Sequence, residues 1–342
     1  MSRFLAVDVF RVLAILAVIA LHTARHEGPG AVGTAFDAAT FLNQVERFAV
    51  PLFFILSGYF WSAKCHGRSD YLRCSLALAR RVLLLFVVWC GVYFLVAELD
   101  TIRRLGVAGA LAAWAGQVTA MRGGYATLLL QGAKVHLWFL PALAIAALIG
   151  GALLSRQLER SLFVLALLLY AAGLAGKAYA GTPLGFHTAF NLRNGPFFSL
   201  LMFATGHALR RRGPQPSWAG IGALLALGGL LLQLFETGWL HRHYGASMVQ
   251  DFTLGTWPFG VGMAMIALSD LRLARIPALA ALGPLVLGVY ASHYLFVDGL
   301  RTVEGIEAGP AGGLRYVLLV FLLSLGLSWA LSKLPVVRRA VA

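Results

Sequence analysis

The sequence predicts an all-α polytopic integral membrane protein with about ten transmembrane helices and both termini cytoplasmic. Its 342 residues are 59% hydrophobic and only 12% charged, whereas an average soluble domain carries about 25% charged residues. The core of a soluble domain could not bury this excess of apolar residues, so lipid is expected to solvate much of the surface. Runs of about 20 apolar residues, the length that one spanning helix needs, fill the chain almost end to end. We therefore expect residues 1–342 to form a single membrane-embedded domain.

Charged, Gly-rich or Pro-rich breaks separate the predicted spans. The stretch 105–130 is interrupted by Gln117, Arg122 and the pair Gly123–Gly124, and it is interpreted as a re-entrant or interfacial element, with an eleventh span left open. The first apolar window lacks the small-residue cleavage site of a secretory signal, so it is expected to stay as the first helix. The ten windows are 4–24, 42–62, 76–97, 133–154, 161–180, 191–211, 217–236, 251–269, 279–299 and 312–333.

The basic residues, which give the chain a net charge of +14, stand in short clusters between the apolar runs. That arrangement is typical of cytoplasmic loops in a membrane protein, so we expect membrane lipid around the chain and no nucleic-acid partner. With the N-terminus inside, the clusters Arg210–Arg212 and Arg338–Arg339 also fall on the inner side. This bias predicts that both termini are cytoplasmic.

Cysteine and histidine spacing gives no sign of a disulfide framework or a metal site. Cys65, Cys74 and Cys90 are too few and too poorly placed for such a framework, and free thiols are expected. His241 and His243 are two candidate ligands without a third nearby, whereas a zinc site needs at least three protein ligands. No bound metal is expected.

The first predicted helix, DVFRVLAILAVIALHT, carries three ionisable residues. An arginine near the middle of a span costs at least ~2.5–3.5 kcal/mol, so ionisable residues at that depth indicate function. Asp8 and Arg11 are spaced to pair on one face. Arg11 and His22 fall within about 20° of each other around the helix and about 16 Å apart along it, so they share one stripe. In the alternative interpretation, Arg11 snorkels to the inner headgroups and His22 sits at the outer interface.

Three further segments place polar side chains against apolar runs. Arg47 precedes VPLFFILSGYF near the outer boundary, where an interfacial anchor is the alternative. His136 and Trp138 open HLWFLPAL, and Trp138 also suits the aromatic belt of a membrane protein. Tyr290 and His293 lie one turn apart inside the ninth span, where a buried and hydrogen-bonded histidine is the alternative.

These segments resemble the acyltransferase-3 family of bacterial inner-membrane O-acyltransferases. The matching pieces, in the family's order and spacing, are DVFRVLAILAVIALH, VPLFFILSGYF, HLWFLPAL and LGVYASHYLF. The resemblance implies transfer of an acyl group, usually acetyl, from cytoplasmic acyl-CoA to a hydroxyl of an extracytoplasmic or lipid-linked glycan. It also implies that Arg11 and His22 are the residues most sensitive to change. The family often has an arginine–two residues–arginine motif at the inner end of the third helix, but this chain reads LARRVLLL there.

Each polar group then has an expected role. His22 is the expected general base, because imidazole titrates near neutral pH and suits removal of a hydroxyl proton. Arg11 is expected to hold a phosphate or the pantetheine carbonyl of the donor by charge-assisted hydrogen bonds. Acyl-CoA enters as a substrate, and no bound cofactor is expected. The donor's nucleotide phosphates are assigned to Arg73, Arg80 and Arg81, and the acceptor end to Arg47, His136, Trp138, Tyr290 and His293.

Two other functions are alternatives to acyl transfer. A proton-coupled transporter or flippase of a glycan or its carrier would use the ionisable residues as a proton relay, although many transporters show internal repeats and the two halves of this chain show no convincing similarity. The second alternative is a non-catalytic membrane scaffold, which does not explain why Arg11 and His22 lie on one stripe of a spanning helix. The nature of the glycan acceptor stays open.

Overall fold

The regular secondary structure is entirely helical in the part of the chain that the structure describes. The computed structural model describes residues 4–24, 33, 36–65, 67–120, 123–269, 271–272, 275–301, 303 and 312–334. Within these ranges there is no β-strand, and seven helical segments are long and apolar enough to cross a membrane. Large apolar side chains such as Leu84, Leu224 and Leu314 are exposed, which is typical of a surface that contacts lipid. The predicted all-α class is confirmed.

Several helices follow one another directly, whereas residues 176–195 and 245–255 form longer connections. The 3₁₀ turns Val135–Trp138 and Gly283–Leu285 lead into the seventh and thirteenth α-helices. The α-helices are α1 (Leu5–Thr23), α2 (Ala38–Glu46), α3 (Ala49–Lys64), α4 (Arg68–Ala97), α5 (Leu99–Ala120), α6 (Gly124–Gln131), α7 (Phe139–Ser155), α8 (Glu159–Ala175), α9 (Pro196–Arg212), α10 (Trp218–Tyr244), α11 (Thr256–Leu268), α12 (Pro277–Ala280), α13 (Val286–Arg301) and α14 (Gly312–Ser332).

Local sequence sets several helix boundaries. The carboxylate of Asp37 accepts a hydrogen bond of 2.8 Å from the Thr40 amide and caps the start of α2. Pro196 opens α9, where its missing N–H costs nothing. α10 ends at Gly245, whose φ of +63° is the left-handed conformation that commonly terminates a helix.

Each of the ten predicted spans contains a helix. Three of these helices, α8, α9 and α11, have 17, 17 and 13 residues and are not among the seven long candidates. The count of ten spans and the cytoplasmic position of both termini therefore stay predictions. Arg338 and Arg339, on which the orientation partly rests, lie outside the described residues.

The stretch 105–130 forms parts of two helices. α5 is kinked at Gly106, where φ is +70°, and α6 begins after Gly123, where φ is +86°. α5 is not among the candidate spans, and most of its side chains are exposed. The re-entrant or interfacial interpretation stays a prediction, and Arg122 lies outside the described residues.

Helices α3 and α9 cross at very close range through two glycines. A Cβ atom added to Gly58 would collide with the Phe203 carbonyl, and one added to Gly206 would collide with the Ile55 carbonyl. Small residues at such crossings let helix backbones approach closely inside a membrane. This contact fixes the centre of the bundle between its two polar ends.

The polar side chains collect at the two ends of the bundle. One end, here called the histidine end, holds His22, Arg47, His136 and Asp251, at the C-terminus of α1 and before α3, α7 and α11. The opposite end, here called the arginine end, holds Lys64 and Arg210–Arg212, at the C-termini of α3 and α9. Because α3 runs from one end to the other, the two polar regions are separated by its whole length.

Candidate active site

Three histidine side chains from distant parts of the chain converge at the histidine end. His22 comes from α1, His136 from the 3₁₀ turn before α7, and His293 from α13. The ring centroids are 6.4 Å apart for His22 and His136, 5.5 Å for His22 and His293, and 4.7 Å for His136 and His293. We call these three residues the histidine cluster. His136 and His293 are buried, whereas His22 is partly exposed.

Hydrogen bonds to backbone carbonyls define the tautomers of the two buried histidines. His293 donates through Nδ1 to the Tyr290 carbonyl at 2.7 Å, and His136 donates through Nε2 to the Ala291 carbonyl at 3.4 Å. Their other nitrogens, His293 Nε2 and His136 Nδ1, have no hydrogen-bond partner within the described residues. In a neutral imidazole the second nitrogen carries a lone pair. Each buried ring therefore keeps one unprotonated nitrogen whose lone pair has no partner within the described residues.

Two tyrosines hold α13 in place beside the buried rings: Tyr290 bonds α13 to the 3₁₀ turn, and Tyr93 bonds α4 to α13. The hydroxyl of Tyr290 donates to the His136 carbonyl at 2.6 Å, and the hydroxyl of Tyr93 donates to the Ala291 carbonyl at 2.8 Å. Each bond spans more than 150 residues of sequence. The expected closeness of His136, Tyr290 and His293 is thus observed in the structure.

Tyr294 contacts all three histidines, although the sequence analysis did not single it out. Its ring stacks on His136 with centroids 4.9 Å apart and an angle of 9°. It also lies 4.9 Å from the ring of His22 and 5.5 Å from that of His293. Its hydroxyl is 3.4 Å from Nδ1 of His22. Its place in the segment LGVYASHYLF, directly after His293, was the signal that could have identified it.

Charged residues surround the same cluster. Lys134 places its ammonium 5.8 Å from the centroid of the Tyr294 ring and forms an ion pair of 2.6 Å with Asp298. Arg301 donates to the His22 carbonyl at 3.1 Å, next to the end of α1. The sequence analysis did not identify these three residues, because each lies in a connection or at a helix end where charge is ordinary.

Arg11 lies away from the histidine cluster, toward the arginine end of α1. It forms the predicted pair with Asp8, at 3.5 Å, and its side chain is 35% exposed. Because α1 is one uninterrupted helix, Arg11 and His22 are separated by about 16 Å along its axis. Their joint part in catalysis stays a prediction.

The three arginines assigned to the donor are exposed on α4. Arg73, Arg80 and Arg81 line neither of the two cavities described at the arginine end. One of these cavities, of about 810 Å³, is instead lined by Lys64 and Arg210–Arg212, together with Ser62, Cys65 and Tyr71. The sequence analysis used Arg210–Arg212 only for topology, so this basic lining was missed. The donor role of Arg73, Arg80 and Arg81 stays a prediction.

The remaining acceptor-side residues, Arg47 and Trp138, lie at the histidine end. Arg47 is 3.9 Å from a carboxylate oxygen of Asp251. Trp138 is the last residue of the 3₁₀ turn that contains His136, and the guanidinium of Arg193 lies 4.9 Å from the centroid of its ring. Among the residues that the structure describes, no three side chains form a metal-binding group, and the absence of a metal stays a prediction.

The bundle and its histidine cluster define a multi-pass membrane protein with a polar site at one end. A family model described as an acyltransferase domain matches residues 4–333. The chain therefore belongs to the acyltransferase-3 family, as its motifs indicate.

Two curated proteins are similar to parts of the chain. A serine/alanine racemase of Enterococcus gallinarum is 29% identical over 245 residues, which cover 69% of this chain and 33% of the racemase. An amino-acid racemase of Enterococcus faecalis is 26% identical over 216 residues, which cover 60% of this chain and 28% of that protein. The chain thus spans about a third of the length of the curated relatives that it matches. No solved structure shows a significant match.

Proposed function

We propose that the chain is a membrane O-acyltransferase of the bacterial inner (cytoplasmic) membrane. It moves an acyl group, acetyl in the first place, from cytoplasmic acyl-CoA to a hydroxyl of an extracytoplasmic or lipid-linked glycan. The convergence of His22, His136 and His293 carries the proposal, because such imidazoles suit proton transfer from an attacking hydroxyl. Membership of the acyltransferase-3 family supports an acyl group as the one transferred.

The proposed step is a direct transfer that conserves charge and protons. His22 removes the hydroxyl proton as the glycan oxygen attacks the carbonyl carbon of the thioester. A C–O bond forms, the C–S bond breaks, and the imidazolium returns the proton to the departing CoA thiolate. If Nδ1 of His22 donates to the Tyr294 hydroxyl, 3.4 Å away, Nε2 becomes the basic nitrogen of this ring.

The donor is proposed to enter from the arginine end. The cavity lined by Lys64 and Arg210–Arg212 offers the charge-assisted hydrogen bonds that nucleotide phosphates need. Arg11 lies nearer the arginine end of α1 than His22 does, and it is proposed to hold the pantetheine arm. The exposed arginines Arg73, Arg80 and Arg81 are proposed as additional contacts to the phosphates.

The racemase names of the curated relatives do not extend to this proposal. The match covers only 33% and 28% of the lengths of those proteins, so their racemase activity can reside in the parts of those proteins outside the match. The alternative of a proton-coupled transporter or flippase keeps one supporting observation, because three close histidines also suit a proton relay.

The test is label transfer in membranes from a strain that lacks the gene and is complemented by wild-type or variant protein. Isotope-labelled acetyl-CoA is added to the cytoplasmic face, and base-labile label is counted in the extracted glycan and lipid-linked fractions. We expect label with the wild-type chain and none without it. A glycan that crosses the membrane in a chain-dependent manner, without label, would instead support the transporter.

Donor binding at the arginine end is tested in the same assay. The double variant Arg210→Gln, Arg212→Gln should raise the KM for acetyl-CoA by about tenfold or more, because each lost charged hydrogen bond weakens binding by that order. The exposed Arg156→Gln, at the same end, is the matched control. An unchanged KM in the double variant would exclude this cavity as the donor site.

A further inference from the structure

Three cationic side chains from two connections of the chain meet around one carboxylate at the histidine end. Arg47 lies between α2 and α3, whereas Lys177 and Arg193 lie in the connection between α8 and α9. Their distances to the Asp251 carboxylate are 3.9, 2.8 and 3.2 Å, respectively. We call Arg47, Lys177 and Arg193 the cation cluster. All three ammonium or guanidinium groups approach one acidic side chain.

The cation cluster carries more positive charge than its partner can neutralise. Asp251 supplies one negative charge against three positive ones. Burial alone would raise the pKa of Asp251, but Arg193, Lys177 and Arg47 outweigh burial and hold that pKa well below its ordinary value. The carboxylate is therefore already ionised, and no further negative charge can come from it.

The other acidic groups in this region are directed elsewhere. Glu236 accepts hydrogen bonds from the Tyr179 hydroxyl and from the amides of residues 254 and 255. Glu46 precedes Arg47 in sequence, but within the described residues no ion pair joins it to the cluster. Counting Glu46 as ionised still leaves one uncompensated positive charge beside Asp251.

Unused hydrogen-bond donors accompany the surplus charge. Asn43 is 2% exposed; its Oδ1 accepts from Arg47 at 3.1 Å, and its Nδ2 has no partner among the described residues. The Nε of Arg193 likewise has no partner there. Both atoms are N–H donors, and a buried donor without an acceptor destabilises the fold. The complement of this set is a group that only accepts hydrogen bonds and carries negative charge.

The cation cluster adjoins the histidine cluster through one aromatic side chain. The guanidinium of Arg193 covers the ring of Trp138 at 4.9 Å, and Trp138 belongs to the same 3₁₀ turn as His136. The side chains of the cation cluster are 14% to 25% exposed, so a ligand can reach them. A molecule bound by Arg193 thus has its next group within reach of the imidazoles.

We propose that the cation cluster binds an oxyanion carried by the acceptor, a phosphate or a carboxylate, and so holds the acceptor hydroxyl beside the histidine cluster. This inference rests on the proposed function, because it assigns a substrate class to the same site. The acceptor is accordingly an anionic glycan. Its charge comes either from a phosphate that links the sugar to a lipid or from an acidic sugar.

The experiment measures anion binding alone, so that its outcome does not depend on acyl transfer. The full-length chain is purified in detergent with CoA present, and its thermal unfolding is followed at constant ionic strength. Pyrophosphate and glucuronate are the two anionic probes, and glucose is the neutral one. We expect one anionic probe to raise the unfolding temperature in a saturable manner and glucose to have no effect.

Two variants that change the charge of the cation cluster in opposite directions test whether the probe binds there. Arg193→Gln should weaken binding of the probe by about tenfold or more, whereas Asp251→Asn, which removes the competing carboxylate, should strengthen binding. Arg104→Gln, an exposed arginine that pairs with Asp100, is the control and should bind as the wild type does. If Arg193→Gln does not fold, Lys177→Gln takes its place.

The response to the two anionic probes identifies the ligand of the cation cluster. Stabilisation by pyrophosphate alone assigns the phosphate of a lipid-linked acceptor, and stabilisation by glucuronate alone assigns an acidic sugar. The proposal is overturned if neither anion stabilises the wild type, or if both Arg193→Gln and Asp251→Asn bind the probe as tightly as the wild type. The last result would leave the cluster as an ion-pair network that only supports the fold.

Discussion

His22 differs from the two other members of the histidine cluster in what surrounds it. His136 and His293 are fixed by backbone carbonyls and are fully enclosed. His22 stands at the end of α1, is partly exposed, and meets the hydroxyl of Tyr294. A ring that shuttles a proton between substrates has to be reached by both of them. This difference favours His22 as the base and leaves His136 and His293 to shape its environment.

Replacing His22 by alanine should abolish acyl transfer and leave the protein inserted in the membrane. Loss of a general base typically lowers a rate by about 10²–10⁴-fold, and removal of this side chain strands no buried charge. The measurement is glycan acylation in membranes matched for protein level. His243→Ala, an exposed histidine at the end of α10, is the control. Near-normal acylation by the His22→Ala protein would contradict the catalytic role and favour the transporter.

The sequence allowed prediction of part of the candidate site only. The motif residues His136 and His293 were predicted because histidines inside apolar runs are rare, and Tyr290 because it lies one turn from His293. Tyr294 and Lys134 were missed, because a tyrosine inside an apolar helix and a lysine in a connection are both common. Their contacts with the histidine cluster depend on how α1, α7 and α13 pack, which no local pattern encodes.

At the scale of helices, the crossing of α3 and α9 depends on the absence of two side chains. Gly58 and Gly206 each lie against a backbone carbonyl of the other helix. α3 joins Arg47 at the histidine end to Lys64 at the arginine end. Any increase in the spacing of α3 and α9 therefore displaces groups at both ends of the bundle.

Gly206→Ala should destabilise the protein, because the new methyl group would collide with the Ile55 carbonyl and force α3 and α9 apart. Overpacking of this kind costs about 1–3 kcal/mol or more, which a lower thermal unfolding temperature in detergent would report. Gly228→Ala, on α10, where a Cβ atom meets nothing within 4 Å, is the matched control. Equal unfolding temperatures for both variants would show that the crossing is looser than described.

Helix positions were easier to predict than helix breaks. Apolar runs bounded by charge located all ten segments, because lipid requires such runs and the sequence displays them directly. The break between α2 and α3 was missed, since Arg47 and Phe48 carry no glycine or proline signal. It arises where Arg47 turns toward Asp251, more than 200 residues further along the chain.

At the scale of the whole molecule, the two polar ends suit a reaction whose substrates come from opposite sides. The histidine end carries the three imidazoles and the cation cluster, and the arginine end carries the basic cavity. The proposed orientation places the arginine end in the cytoplasm, where acyl-CoA is made. The orientation also predicts which loops a reagent outside the cell can reach.

A cysteine at position 247 should be labelled by a membrane-impermeant maleimide from outside the cell, and reporter tags at both termini should lie in the cytoplasm. Ser247 is exposed in the connection after α10, so a thiol there is accessible. Replacing Cys65, Cys74 and Cys90 by serine removes the background. A cysteine at Arg156, at the arginine end, is the control and should react only after permeabilisation. A C-terminal tag outside would mean that the stretch 105–130 crosses the membrane.

The long sequence separation between His22 and its neighbours on α13 sets a delay during synthesis. His22 and Tyr294 are 272 residues apart, and ribosomes add about 5–20 residues each second. The first helix therefore waits roughly 15–55 s in the membrane before α13 emerges to meet it. Throughout that time Asp8 and Arg11 already have each other as partners, whereas His22 has neither Tyr294 nor Arg301. A nascent chain stalled before residue 286 should accordingly expose the end of α1 to insertion factors and membrane proteases.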